Sequence, residues 1–447
     1  MAELPSDERA RGYRVGFARA HARGDAIAAE RFAFATLGAA VATGELSTAC
    51  GVAQAASFSS LNLRGDVARA RAWLETTRFC PIAVPSSAPG FVYYTGLIAA
   101  ALGRRVDAVE HLEQASVRAT RIDRVDDARQ YAIGQALFLG EAGFTEAATM
   151  RLAALVEELE PGCVRVVARL DHAWAVQLAA EASGEQELLR EAEVELTAAL
   201  EESRRHHCNA SSPHVDDVIR IDLVHGALGI GDLEHARREL VRIDAARLEP
   251  SLARWYRRLD AQLAMAEGRT ASVREWIAGI DDGGIDDDAS WRDHRVAARL
   301  SSQLGDEASA RVHAHAAEAA LDRVVASFAE GLASGPLLGA RAESSTLLVA
   351  DAVRRGDERE AWCTARRARR RALQATAAAA LRLQDDREGA VAERLAAHRG
   401  ASARVDAELA GLDLAARRER AARHARLRSE LAVDLAALAP AMSTALR

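Results

Sequence analysis

Small and apolar residues recur along this chain at fixed distances from a glycine, and those distances fit two helices joined by a tight turn. The glycines are Gly24, Gly65, Gly103, Gly143, Gly184, Gly231, Gly268, Gly305 and Gly356, spaced 37 to 51 residues apart. Five residues after them stand Ala29, Ala70, Ala108, Ala148, Leu189, Ala236, Val273, Ala310 and Ala361, seven of the nine being alanine. Four residues before them stand Ala20, Leu61, Ala99, Leu139, Ala180, Ala227, Ala264, Ser301 and Ala352, most of them small. Nine residues after, the position is apolar in eight copies, with Glu193 the exception. Glycine can take the left-handed conformation that ends a helix, and small neighbours let two antiparallel helices approach closely. A repeat of this period predicts a solenoid of helix pairs. No stretch alternates as a strand would, so an all-α fold is expected.

At the turn glycine, the small residue five later and the apolar residue nine later, the chain resembles the tetratricopeptide repeat (TPR) family. The first unit also carries Tyr13 and Phe17 where that family places the large residues of its first helix. The resemblance implies a right-handed superhelical solenoid with a concave groove. The period exceeds the family's usual length of about 34 residues, which implies extended helices or loops. The expected organisation is a repeat array over 1–339, a last repeat with a lengthened second helix over 340–384, and a C-terminal helical hairpin with its tail over 385–447.

Length does not demand several domains, because each repeat buries its apolar face only against its neighbours. Every one of the 58 basic residues is arginine, which reads as codon bias, and the net charge of -7 gives no nucleic-acid footprint. Charge is uneven, however, since residues 340–447 hold 21 arginines against 15 acidic residues. Five cysteines, Cys50, Cys80, Cys163, Cys208 and Cys363, are far apart and form no CxxC pair, so they read as reduced thiols of a cytoplasmic protein. The first twelve residues are polar, and the longest uncharged stretch, 81–102, is broken by prolines and glycine. Neither a signal peptide nor a membrane span is expected.

Two loops raise the question of metal. His206, His207, Cys208 and His214 lack the spacing of zinc ligands, and the acidic run from Asp281 to Asp288 has Arg292 where a calcium loop would place its glutamate. No metal and no cofactor are expected.

The groove is richer. In the TPR family the concave wall is lined by first-helix residues at set offsets before the turn glycine. Those offsets select Asp171, Trp174, Leu178 and Glu181 in the fifth unit, Trp255, Arg258, Gln262 and Met265 in the seventh, and Arg292, Arg295, Arg299 and Ser302 in the eighth. The three arginines form one helical stripe. Beside Trp174, Trp255 and Arg258, that stripe could hold an acidic peptide or a carboxylate in bidentate fashion. The plainer reading is a solvated charged face paired with acids of the neighbouring helix.

The last repeat carries Gly356, Asp357, Glu360, Ala361, Ala365, Arg367, Ala368, Arg369, Arg371, Ala372 and Leu373 in a pattern that resembles the segment before the peptidase of CHAT proteins, which are caspase-like; Arg366 stands where that family has an acid. The resemblance implies a helical hairpin next, and Val391, Leu395, Val405, Leu409 and Leu412, then Leu427, Leu431, Leu435 and Leu438, supply its apolar seam. It also implies a protein partner docked on Arg366, Arg367, Arg370 and Arg371. These arginines spread around a helix without stacking aromatics, which argues against nucleic acid. The histidine and cysteine motifs of the peptidase, a Walker loop, a GxSxG elbow, an HExxH motif and a dinucleotide fingerprint are all missing from the 447 residues. The expected function is a non-catalytic, cytoplasmic interaction scaffold or regulatory subunit that partners or precedes a CHAT-type caspase-like peptidase. The alternative is a sensor whose groove binds a peptide or small effector, as in the helical repeat regions of LuxR-type regulators.

Overall fold

The computed structural model describes residues 6–102, 104–210, 214–280, 287–327, 343–369 and 371. Gly103, Arg370 and the hairpin expected over 385–447 lie outside the described residues, as does most of the acidic run 281–288. The helices come in pairs: α1 (Ser6–Ala22) with α2 (Ala26–Thr43), and α3 (Leu46–Arg64) with α4 (Val67–Thr76). After the short α5 (Cys80–Ala83) follow α6 (Ala88–Ala101) with α7 (Arg105–Arg121), α8 (Val125–Glu141) with α9 (Thr145–Glu158), and α10 (Cys163–Ser183) with α11 (Gln186–His206). Then come α12 (Val215–Ile230) with α13 (Leu233–Val241), α14 (Pro250–Ala266) with α15 (Thr270–Ala278), α16 (Asp287–Gln303) with α17 (Glu307–Ser327), and α18 (Glu343–Arg354) with a helical stretch over 358–369. No strand occurs among the described residues. The fold is an all-α, TPR-like array.

The eight described glycines of the mark fall at the turn inside their pairs, each at positive φ. At Gly231 a Cβ would meet nothing within 4 Å, so space is not what selects glycine there; φ is +82°, which other residues rarely adopt. The residue that follows supplies the second half of the turn. Asp232 accepts a hydrogen bond from the backbone N–H of His235 at 2.9 Å, and Asp25, Asp66, Asp306 and Asp357 do the same for Ala28, Arg69, Ser309 and Glu360. One residue closes a helix and the next caps its partner, each such cap contributing about 1 kcal/mol. Ala20, Ala29, Ala33, Ala70, Ala108, Ala148 and Ala236 are fully buried, as close helix approach requires. Glu193, the polar exception in the pattern, meets His235 at 2.8 Å. A left-handed glycine that the pattern does not include, Gly44, also makes the turn from α2 into α3.

The first helices of successive pairs touch one another: α1 with α3, α3 with α6, α8 with α10, α10 with α12, α12 with α14, and α14 with α16, whereas the second helices pack chiefly on first helices. First helices therefore line the inner wall and second helices the outer one. Of the described helices only α2 is long and apolar enough to cross a bilayer; it buries Ala29, Ala33, Thr36 and Ala40 against its neighbours and leaves Ile27, Phe34 and Val41 exposed.

The cysteines correct the expectation of reduced thiols. Cys50 is bonded to Cys80, tying α3 to α5, and Cys163 is bonded to Cys208, tying the start of α10 to the turn after α11; only Cys363 is free. The Cα atoms of the pairs lie 5.8 and 5.3 Å apart, although 30 and 45 residues separate them in sequence. The bond also removes Cys208 from any ligand set with His206, His207 and His214.

Candidate functional site

Trp174, midway along α10, is where the inner wall closes on itself. Its indole stands 5.1 Å from that of Trp255 on α14 and 5.7 Å from the imidazole of His225 on α12, ring centre to ring centre. The Arg292 guanidinium, on α16, lies over the Trp174 ring at 5.4 Å. Side chains from helices two and three pairs apart meet only where the wall is concave, so these four residues mark the floor of the groove. Edge-to-face rings and a cation on an indole face are each favourable by about 1 kcal/mol beyond the area they bury.

A polar network backs the aromatic floor. His225 places Nδ1 3.1 Å from the Gln177 side-chain oxygen and Nε2 3.0 Å from Glu181, while the Gln177 amide donates to the Asp222 carbonyl at 2.9 Å. Because that last bond fixes which end of the Gln177 amide is oxygen, both imidazole nitrogens face acceptors. Burial would raise the Glu181 carboxyl, but the His225 hydrogen bond and the charges of His225, Arg295 and Arg292 outweigh it and hold the group well below the usual carboxylate range.

The arginine stripe divides. Arg295 pairs with Glu343 at 2.9 Å and lies over Trp291 at 5.0 Å, as the plainer reading of a paired charged face expects. Arg258 is buried against Asp293 at 2.9 Å, and Arg254 shares the same carboxylate, so Arg258 is a structural ion pair rather than an open ligand contact. Arg299 differs: its one hydrogen bond goes to a neutral group, the Gln262 side-chain oxygen at 2.7 Å, while burial lowers its pKa, with Glu343 and Glu181 acting in opposition and Arg295 adding to the fall. A desolvated guanidinium with a neutral partner is short of an anion.

The groove continues toward the N-terminal half as a line of rings that the sequence reading does not single out. Tyr93 on α6 stacks on Tyr131 of α8 at 4.5 Å and meets Tyr94 at 5.1 Å; Tyr94 meets Phe58 of α3 at 6.0 Å, and Phe58 meets His21 of α1 at 5.9 Å. The offsets that select Trp174 and Arg299 in their own units also select Tyr93 in the third unit and His225 in the sixth, so the signal was present in the register. Tyr131 and Phe58 fall outside it.

Three acids on this wall influence one another electrostatically: Asp171, Asp222 and Glu141. Asp171, one helical turn before Trp174, is enclosed by neighbouring helices yet half-buried at its surface, and burial followed by the Glu141 charge raises its pKa to about 8. Asp222 on α12 is pushed well above the carboxylate range by burial and by Asp171. The folded chain keeps a proton on Asp171 that the unfolded chain gives up above about pH 4, so this stabilisation is complete below that pH and is lost as pH rises through about 8. Asparagine at 171 removes the titration. Thermal melts at pH 5 to 9 are therefore expected to show the native chain losing stability relative to Asp171→Asn as pH rises; parallel curves would contradict the burial of that acid.

The docking arginines are placed differently from the expectation. Arg366 is exposed, but Arg371 is buried on α17 against Glu318 at 2.6 Å and also reaches Asp322, which Arg367 binds at 2.8 Å. Arg367 and Arg371 thus hold the last repeat to the one before it. Among the described residues no group of three histidines, cysteines or acids is arranged to hold a metal ion.

No family model and no curated protein matches the chain. Among solved structures, a Rap protein crystallised in complex with competence and sporulation factor is similar, at 14% identity and a TM-score of 0.52, over 83% of this chain and 99% of that one. The likeness is one of fold, and with the paired helices described above it makes this chain a TPR-like helical repeat protein.

Proposed function

We propose that this chain is a non-catalytic binding protein whose concave groove takes a peptide, with an anionic group of that peptide seated by Arg299 and its apolar part laid on Trp255, which stays partly open over the buried Trp174. The observation that carries the reading is the convergence of α10, α12, α14 and α16 on one aromatic floor, edged by a guanidinium that only a neutral amide partners. The complex in which the similar Rap protein was crystallised, with competence and sporulation factor, supports a peptide as the occupant. This is the sensor alternative of the sequence reading, and an interaction scaffold in the broader sense.

Selection of a random peptide library on the immobilised full-length chain tests it. Enriched peptides are expected to carry a carboxylate and to weaken about ten- to a hundredfold on Arg299→Gln, the loss of one charge-assisted hydrogen bond. Equal binding to Arg299→Gln and Trp255→Ala would defeat the reading.

A second reading, docking of a CHAT-type caspase-like peptidase on the last repeat, is supported by the exposed side chains of Trp362, which is 67% open, and Arg366. It requires that Trp362→Ala release such a partner. As to place, the two disulfides favour an oxidising compartment over the cytoplasm expected from sequence.

A further inference from the structure

The outer wall carries one apolar face that the fold leaves uncovered. Along α2, Ile27, Phe34 and Val41 stand seven residues apart and so share one side of the helix, and each is half exposed or more. Arg31 and Gly38 lie between them on that side, also exposed, and Glu45 takes the next position of the same spacing, in the turn to α3. Positions 27, 34 and 41, alternating with 31, 38 and 45, make the a and d pattern of a two-heptad seam, the arrangement by which one helix packs on another. The stripe that α2 buries inside the array, Ala29, Ala33, Thr36 and Ala40, is a different side.

Three features of the seam point to a partner helix rather than to water. Phe34 is held in place, its ring 4.5 Å from that of Trp73 and the Arg69 guanidinium over it at 5.4 Å, so docking it orders no free side chain. Gly38 stands in the helix interior, where glycine costs stability. A Cβ there would meet nothing within 4 Å, so no packing inside the chain explains the glycine. What it provides is a hole on the outer surface, one turn from a fixed aromatic knob. The charges complete the pattern: the exposed Arg31 guanidinium makes no hydrogen bond or ion pair with another described residue, and the Glu45 carboxylate takes only the Thr48 hydroxyl, at 3.0 Å.

We infer that this face is where two copies of the chain pair, α2 lying antiparallel to α2 of the second copy about a two-fold axis level with Thr36. The partner follows from the residues themselves. In that register Phe34 enters the hole over Gly38 of the second copy, and symmetry repeats the exchange, as an isologous interface requires. Arg31 lies over Val41 of the second copy, its stem against the methyl groups and its guanidinium one turn from Glu45 of that copy, so the two unpaired charges find each other twice. A parallel pairing would set Arg31 against Arg31 and leave a void between the two glycines. One helix face from each copy is a small contact, below about 1,200 Å² in total, so the dimer is reversible and forms in the micromolar range. The face belongs to a second helix, on the outer wall, and is separate from the groove.

Sedimentation velocity of the full-length chain, run from low to high micromolar concentration, tests this, and a shift from monomer to dimer is expected. Gly38→Phe separates the seam from general stickiness. The monomer has room for the ring and gains apolar surface, but the hole that Phe34 must enter is filled, so the dimer should weaken about tenfold or more. Arg31→Glu and Glu45→Arg should each weaken it about fivefold, and the two together in one chain should restore it, which a folding defect would not do. A native chain that stays monomeric at high micromolar concentration would overturn the pairing. So would a Gly38→Phe variant that associates as tightly as the native chain, or a double charge swap that fails to recover. Phe34-dependent binding of a monomeric chain to phosphatidylcholine vesicles would give the face to a lipid surface instead.

Discussion

Arg371→Ala is expected to cost about 3 to 5 kcal/mol, the loss typical when one partner of a buried ion pair is removed. The Arg371 side chain is almost fully buried, and so is the Glu318 carboxylate it meets at 2.6 Å; the same guanidinium also donates to the Glu318 backbone carbonyl at 3.3 Å. Glu318 accepts two further bonds, from Ser344 at 2.6 Å and Ser345 at 2.8 Å, and Ser344 in turn meets the Trp291 indole N–H at 3.3 Å. Taking away the arginine strands a carboxylate in that network. In an array stabilised between neighbours the damage is local. Hydrogen exchange of α17 and α18 should therefore accelerate while α6 to α12 stay protected. Adding Glu318→Gln to Arg371→Ala should recover a good part of the loss. A mutant with unchanged exchange in α17 and α18 would mean that the last repeat is not held by this pair.

Removing the Cys163–Cys208 bond by a double serine substitution is expected to cost about 4 kcal/mol, from the closure entropy of a loop of this length. The bridge spans 45 residues and closes the whole of α10 and α11 onto the turn that leads to α12. Because α10 carries Asp171, Trp174 and Glu181, the loss falls on the element that builds the groove floor. A reducing agent should lower the melting temperature of the native chain and leave that of the double mutant with the smaller loss set by Cys50–Cys80. Identical melts with and without reductant would remove the disulfides from the account, and with them the argument for an oxidising compartment.

The paired helices were legible because the turn between them has a narrow chemical demand: a residue at positive φ, then an acid that caps the next helix, with alanines where the backbones touch. Gly231, Asp232 and Ala236 state that demand in six residues. The groove was legible in part, since a register counted back from the turn glycine finds Trp174, Trp255, Arg292 and Arg299 on the inner wall. What a register cannot give is curvature. Contact of Arg292 with Trp174 depends on how far three successive pairs rotate, and so does the burial of Arg258 against Asp293. The disulfides were hidden for the same reason, because cysteines 30 and 45 residues apart come within bonding distance only once the helices are packed. Arg371 looked like part of a charged docking face because the acids that bury it, Glu318 and Asp322, belong to the previous repeat.

The central claim, that the inner wall around Trp174 binds a peptide, is tested most directly by photo-crosslinking. A selected peptide carrying a photoreactive residue at its centre is bound to the full-length chain, irradiated, and the attachment sites are read by mass spectrometry. Attachment to α10, α12, α14 and α16, near Trp174, His225, Trp255 and Arg292, is the predicted result. Attachment to the outer helices, or to the stretch 358–369 around Trp362, would contradict it.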